Sequence, residues 1–163
     1  MGFMLDRAAI QRILLIRLSA VGDVINTLPA VSAVRASYPK ARLVFVVEDK
    51  AKDVVLGHPD LDEVIIYPRK RWVKQWWNPI RESRTIAEVL RYVGAIRAMK
   101  FDVVIDFQGN FKGAMHSWLS GVPMRIGFAR GHCSELNHWF STIRVAPYSE
   151  TMNRVEKFLT LVQ

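Results

Sequence analysis

The chain holds a single cysteine, Cys133, among 163 residues. One thiol excludes an internal disulfide and makes a reducing, cytoplasmic setting the simplest expectation. No apolar run approaches the roughly 20 residues that cross a bilayer. The longest, RILLIRL and RLVFVVE, are the size of strands. The opening MGFMLDRAAIQR lacks an extended apolar stretch, so no secretory leader is expected. Neither G-x-G-x-x-G nor G-x-x-x-x-G-K-[ST] occurs, which removes the dinucleotide fingerprint and the P-loop. His58, His116, His132 and His138 are scattered, without H-x-x-x-H or Cys/His spacing, and are expected not to ligate a metal. Repeats, low-complexity tracts and Gly/Ser linkers are also missing, so one domain is expected.

Acids are the other shortage. There are 15 against 23 Lys and Arg, for a net charge of +8. Such an excess calls for an anionic partner: nucleic acid, a membrane surface or an acidic small molecule. The charge is concentrated. Between positions 69 and 100 stand nine cations and two acids, Glu82 and Glu88. A nucleic-acid reader would spread its cations along a recognition element, and no such motif is present.

Hydrophobic residues make up 50% of the chain, enough for a core. Residues 12–18 are rich in Ile and Leu without alternation, as in a parallel strand covered on both faces. Residues 24–37 carry apolar side chains at helical spacing, with a proline inside. Further strands are expected at 42–47, 63–67, 102–106 and 124–128. Helices are expected at 51–56, 83–99, 111–119 and 135–140, with a last helix opened by Ser149 as its cap. Residues 68–79 read as an irregular basic segment. Strands alternating with helices imply an α/β fold, a mostly parallel Rossmann-like sheet with helices on both faces.

In such sheets ligands sit beyond the carboxyl ends of the strands. Two loops qualify, SAVGD after the first strand and DFQGN after the fourth. If those strands are neighbours, both loops face one crevice. In the first, Gly22 permits close backbone approach or an unusual dihedral. Asp23 has two readings, a carboxylate capping the helix and a general base at the mouth of a cleft. In the second, Gly109 permits a tight turn, Asn110 suits a helix cap, Gln108 offers an amide and Lys112 reaches toward an anion. The segment PRKRWVKQWWNP mixes four cations with Trp72, Trp76 and Trp77, suited to phosphate or carboxylate and to flat apolar faces. If it is helical, Trp72 and Trp76 share a face. Cys133 has no activated setting in the sequence.

Taken together, RILLIRLSAVGDVINTLPAVSAVR, with Gly22-Asp23 and Thr27-Leu28-Pro29, closely resembles the opening of the ADP-heptose:lipopolysaccharide heptosyltransferases. FDVVIDFQGNFKGA is similar to that family's Asp-x-Gln-Gly-x-x-Lys segment through Asp106, Gln108, Gly109 and Lys112. RKRWVKQWW resembles the basic, tryptophan-bearing loop of the type I branch, and NRVEKFLTL the end of the family's N-terminal domain. Two positions depart from the pattern: Asn153 stands where His is usual and Asn110 where Leu is usual.

The resemblance implies the N-terminal half of a GT-B glycosyltransferase, with residues 1–163 as the acceptor-binding domain and the donor-binding half absent. It implies inverting transfer of heptose from ADP-heptose to Kdo of the lipopolysaccharide inner core, with Asp23 as general base. Ser19, Gly22, Thr27, Gln108 and Lys112 become candidate substrate-binding residues. Lys70, Arg71 and Lys74 become candidates for holding Kdo carboxylates or lipid A phosphates. No cofactor and no metal is implied. The resemblance also implies a cytoplasmic enzyme touching the anionic inner face of the inner membrane, with no nucleic-acid partner and no turnover by this chain alone.

Overall fold

The computed structural model describes residues 9–76, 82–149 and 151–163. Of the basic segment, Trp77 and Arg81 lie outside the described residues, and so does the side chain of Trp76. In chain order the elements are β1 (Arg12–Ile16), α1 (Val21–Ser37), β2 (Arg42–Glu48), a 3₁₀ turn (Asp49–Val54), β3 (Glu63–Tyr67) and α2 (Arg69–Trp76). Then follow α3 (Glu82–Ala98), β4 (Val103–Asp106), α4 (Phe111–Leu119), β5 (Met124–Phe128), a second 3₁₀ turn (Asn137–Trp139), β6 (Ile143–Val145) and α5 (Arg154–Leu159).

The strands form one all-parallel sheet in the order β3-β2-β1-β4-β5-β6. β1 lies at its centre, with Leu15 opposite Phe45 on β2 and Ile105 on β4. Its unbroken apolar run now has a cause, since alternate residues feed two cores. Ile13 and Leu15 join Val31 and Val34 of α1 and Phe158 of α5 on one face. Leu14 and Ile16 join Val44, Val46, Val104 and Ile96 of α3 on the other. Each face buries apolar area at about 25 cal/mol per Å². The chain leaves β1 toward β2 on one side and enters β4 on the other. The order therefore reverses between β1 and β4, and a crevice opens there at the carboxyl ends.

Several expected boundaries move. α1 starts at Val21, a turn earlier than its apolar spacing suggests, and Ala20 holds the cap position without a side-chain bond. Asp23 is thus the third residue of the helix and not its cap. Residues 69–76 of the basic segment are helical, not irregular. The expected helix at 51–56 is a 3₁₀ turn. The last helix opens at Arg154, not near Ser149, whose hydroxyl pairs with Thr151 Oγ1 at 2.8 Å. Its cap is Asn153, which accepts from the Glu156 N–H while Glu156 Oε2 accepts from the Asn153 N–H, both at 2.9 Å. β6, of three residues, extends the sheet beyond the expected five strands.

That reciprocal cap holds the first turn of α5, which packs beside α1 and carries Arg154. Asn153→Ala removes it and costs about 1 kcal/mol. Thermal unfolding should show a Tm lowered by roughly 2–4 °C. An unchanged Tm would mean that α5 is fixed by packing alone.

Candidate active site

The crevice is built from the two loops that follow β1 and β4. Arg17, directly after β1, is buried with 7% of its side chain exposed. Its Nη1 donates to the Phe107 carbonyl at 2.6 Å and to the Gln108 carbonyl at 3.3 Å, and its guanidinium lies 5.1 Å from the centre of the Phe158 ring. Gln108 answers from the other loop, where its Oε1 accepts from the N–H groups of Leu18 at 2.9 Å and Ser19 at 3.3 Å. The two loops are therefore cross-braced in both directions.

Asp23 stands over this brace. Arg17 Nη2 pairs with its Oδ2 and Arg154 Nη1 with its Oδ1. Burial pushes the Asp23 carboxyl up, but the charges and hydrogen bonds of Arg17 and Arg154 outweigh it and hold the group below the ordinary carboxylate range. The first turn of α1 also favours the anion through the helix dipole. Asp23 is thus ionised at neutral pH. Its stabilisation is present above the ordinary carboxylate range and is lost as pH falls through its lowered value.

Asp106, at the end of β4, is the opposite case. It is buried, and burial pushes it up to about 6 against three hydrogen bonds that favour the anion. Gln108 N–H donates to Oδ1 at 2.8 Å, Gly109 N–H at 3.4 Å, and Asn137 Nδ2 donates to Oδ2 at 2.7 Å. Its role is to shape the loop. Gly109 turns there with φ +66°, and a Cβ on Gly113 of α4 would lie 2.4 Å from Asp106 Oδ1, so the helix start can approach only as glycine.

The expected site residues fare differently. Ser19, Gly22, Asp23 and Gln108 come together at the crevice. Gly22 keeps a helical backbone rather than an unusual dihedral, and a Cβ there would meet nothing within 4 Å. Thr27 is fully buried, and its hydroxyl donates to the Asp23 carbonyl at 2.8 Å inside the helix. Lys112 is half-buried on the first turn of α4, beside the Asn110 cap that accepts from its N–H at 3.1 Å. Cys133 Sγ lies 3.7 Å from His138 Nδ1. Among the described residues no three His, Cys, Asp or Glu side chains gather to hold a metal ion.

Lys70, Arg71 and Lys74 sit on α2, which follows β3 and so stands at the same end of the sheet. β3 is two strands from β1, about 10 Å. α2 is seated by Trp72, whose ring meets Tyr67 at 5.3 Å and Tyr92 at 5.4 Å and whose Nε1 donates to Glu88 Oε2 at 3.1 Å. Arg71 pairs with Glu88, so it helps seat the helix, while Lys70 and Lys74 are exposed.

Arg17 and Arg154 were not among the expected site residues. Arg17 offered a signal, as a cation directly after a buried strand. Arg154 offered one only once Asn153 is read as a cap, which puts the next residue at a helix start.

The parallel sheet, with an acid and a buried arginine at its strand-order reversal, defines a Rossmann-like domain. Residues 89–163 match the model of glycosyltransferase family 9 (heptosyltransferase). Over 110 residues the chain is 34% identical to lipopolysaccharide heptosyltransferase 1 of Pseudomonas aeruginosa, covering 68% of this chain and 29% of that protein. Over 105 residues it is 34% identical to the enzyme of the same name from Escherichia coli K12, covering 64% and 31%. The solved E. coli heptosyltransferase WaaC with ADP-2-deoxy-2-fluoro heptose superposes with a TM-score of 0.78 at 25% identity, over 93% of this chain and 47% of that one. E. coli ADP-heptose lps heptosyltransferase II shares the fold with a TM-score of 0.65 at 18% identity, over 94% and 40%. The chain belongs to glycosyltransferase family 9. It spans less than half the length of these relatives.

The raised Asp106 gives a pH test. A carboxyl raised from 3.8 to about 6 by folding binds more protons folded than unfolded between those values, so its contribution to stability falls as pH rises through that window. Relative to Asp106→Asn, the wild type should lose about 2 kcal/mol between pH 4 and pH 7.5, read from urea midpoints at both. A constant difference would contradict the buried, raised carboxyl.

Proposed function

We propose that this domain is the N-terminal, acceptor-binding half of an inverting GT-B heptosyltransferase, with Asp23 as the general base. The observation that carries the proposal is the placement of Asp23, ionised and 18% exposed, at the strand-order reversal, with an exposed cationic helix at the same end of the sheet. The family membership supplies the reaction class, and the names of the relatives supply heptose and lipopolysaccharide. The donor would be ADP-heptose, held mainly by the other half of the GT-B transferase. The acceptor would be Kdo of the inner core.

In this reading a Kdo hydroxyl attacks the anomeric carbon of the heptose. The new C–O bond forms on the face opposite the diphosphate, the old C–O bond breaks, and the electron pair leaves with ADP. One displacement inverts the anomeric centre. Asp23 takes the hydroxyl proton. A carboxylate held below its ordinary range is a weak base toward a free alcohol, but the attacking oxygen grows acidic as its bond to carbon forms, so proton transfer is late. General-base assistance of this kind is worth about 10²–10⁴ in rate. Lys70 and Lys74 would hold the acceptor's carboxylates or phosphates as point charges. The same cations suit a peripheral contact with the anionic inner face of the inner membrane. No helix among the described residues is long and apolar enough to cross a membrane.

In the complete transferase, Asp23→Ala should lower kcat at least about 100-fold with the fold and acceptor binding kept, and the 163-residue chain alone should give no product. Full transfer by Asp23→Ala, or any by the isolated chain, contradicts the proposal. Lys70→Ala with Lys74→Ala should raise the acceptor KM with kcat little changed, since charge held equally in ground and transition states affects binding alone. An unchanged KM would remove α2 from the acceptor site. Arg71→Ala acts differently, by loosening α2 from Glu88.

A further inference from the structure

Both oxygens of Asp23 are covered, by cations of different character. Arg17, on Oδ2, is built in, with its other bonds to the Phe107 and Gln108 carbonyls and a ring against it. Arg154, on Oδ1, is 67% exposed and stands at the first residue of α5. An exposed ion pair of this kind is weak and is open to competition from other anions. While it holds, each Asp23 oxygen already accepts an arginine N–H, which weakens its capacity to take a proton from a hydroxyl.

Arg154 also faces the other way. It lines a cleft of about 490 Å³ together with Arg17, Gln108, Gly109, Ser134 and Lys157. Three of these six side chains are cations. Lys157 is fixed, its Nζ donating to the His132 carbonyl at 2.8 Å and lying 4.7 Å from the centre of the Phe128 ring. Arg17 Nε is buried without a hydrogen-bond partner. Of the three cations in this cleft, Arg154 is the one on an exposed side chain, and what would draw it from Asp23 is an oxyanion, which its guanidinium fork suits.

We propose that Arg154 is a displaceable latch, covering Asp23 Oδ1 in the unliganded domain and drawn into the cleft by an entering oxyanion, so that the base is uncovered only when ligand is present. This rests on the reading of Asp23 as the base and makes Arg154 a positioning residue. The oxyanion is either the diphosphate of the nucleotide-sugar or the carboxylate of the sugar-acid acceptor. The charged groups acting on Asp23 are Arg17 from the loop after β1 and Arg154; Asp106 of β4 acts on Arg17, and Lys157, further along α5, faces the two arginines. Among these, Arg154 is the one that pairs with Asp23 while mostly exposed.

The test is a carboxyl-carbon NMR titration of Asp23 in the 163-residue chain, wild type, Arg154→Ala and Arg154→Lys, with and without inorganic pyrophosphate or Kdo. Arg154→Ala should move the Asp23 midpoint upward, and Arg154→Lys should restore part of the shift. Pyrophosphate or Kdo should also move the wild-type midpoint upward, and the active anion should bind Arg154→Ala about fivefold more weakly. A response to pyrophosphate alone assigns the latch to the donor diphosphate, and a response to Kdo alone assigns it to the acceptor carboxylate. An unchanged midpoint in Arg154→Ala, or no response of the wild type to either anion, overturns the proposal. No transfer is measured, so this outcome is separate from the Asp23→Ala activity test of the base itself.

Discussion

The crevice depends on the buried guanidinium of Arg17. A charge out of water is costly unless its donors are met, and here one arginine is met by two carbonyls of the β4 loop and by the Asp23 carboxylate. The same interaction fixes three things. It ties the β1 loop to the β4 loop, it orients the first turn of α1, and it sets the charge state of Asp23. The reciprocal hold of Gln108 on the Leu18 and Ser19 N–H groups makes the loops a rigid pair. Neither brace would reach without β1 and β4 as neighbours, which follows from the reversal of strand order.

Two aspartates near each other show how placement divides roles. Asp106 is buried and answered by backbone N–H groups and an amide, and burial wins. Asp23 is partly exposed and answered by full positive charges, and the charges win. One shapes a loop; the other faces the crevice with its charge retained at neutral pH. The cationic helix α2, seated by Trp72 and Glu88, stands at the same end of the sheet, after β3.

Much of this was legible in the residues. The two apolar faces of β1 produced its unbroken pattern, so the parallel sheet and its buried centre could be read directly. The two loops could be named as a shared crevice because both end strands and both hold Gly. What was not legible has physical reasons. α2 offers only the Trp72–Trp76 spacing as a helical signal, and the docking of Trp72 on Tyr67 and Tyr92 is a tertiary contact that the sequence does not show. β6 has three residues, too few to show alternation. α5 was placed early because Ser149 and Asn153 are both good caps, although only Asn153 has Glu three residues on. Thr27 carried a motif match, yet its hydroxyl is spent inside α1. Arg154 lies 131 residues from Asp23, and only the packing of α5 beside α1 unites them.

The central claim is that the working base is a carboxylate held low by arginine, not one raised by burial. The pH dependence of kcat/KM for heptose transfer by the complete transferase separates the two, because it reports the free enzyme's essential groups. With Asp23 as base, the rate should stay level as pH falls from neutrality and decline only below the ordinary carboxylate range, about pH 4. An acid limb centred near 6, the value to which burial pushes Asp106, would contradict the account.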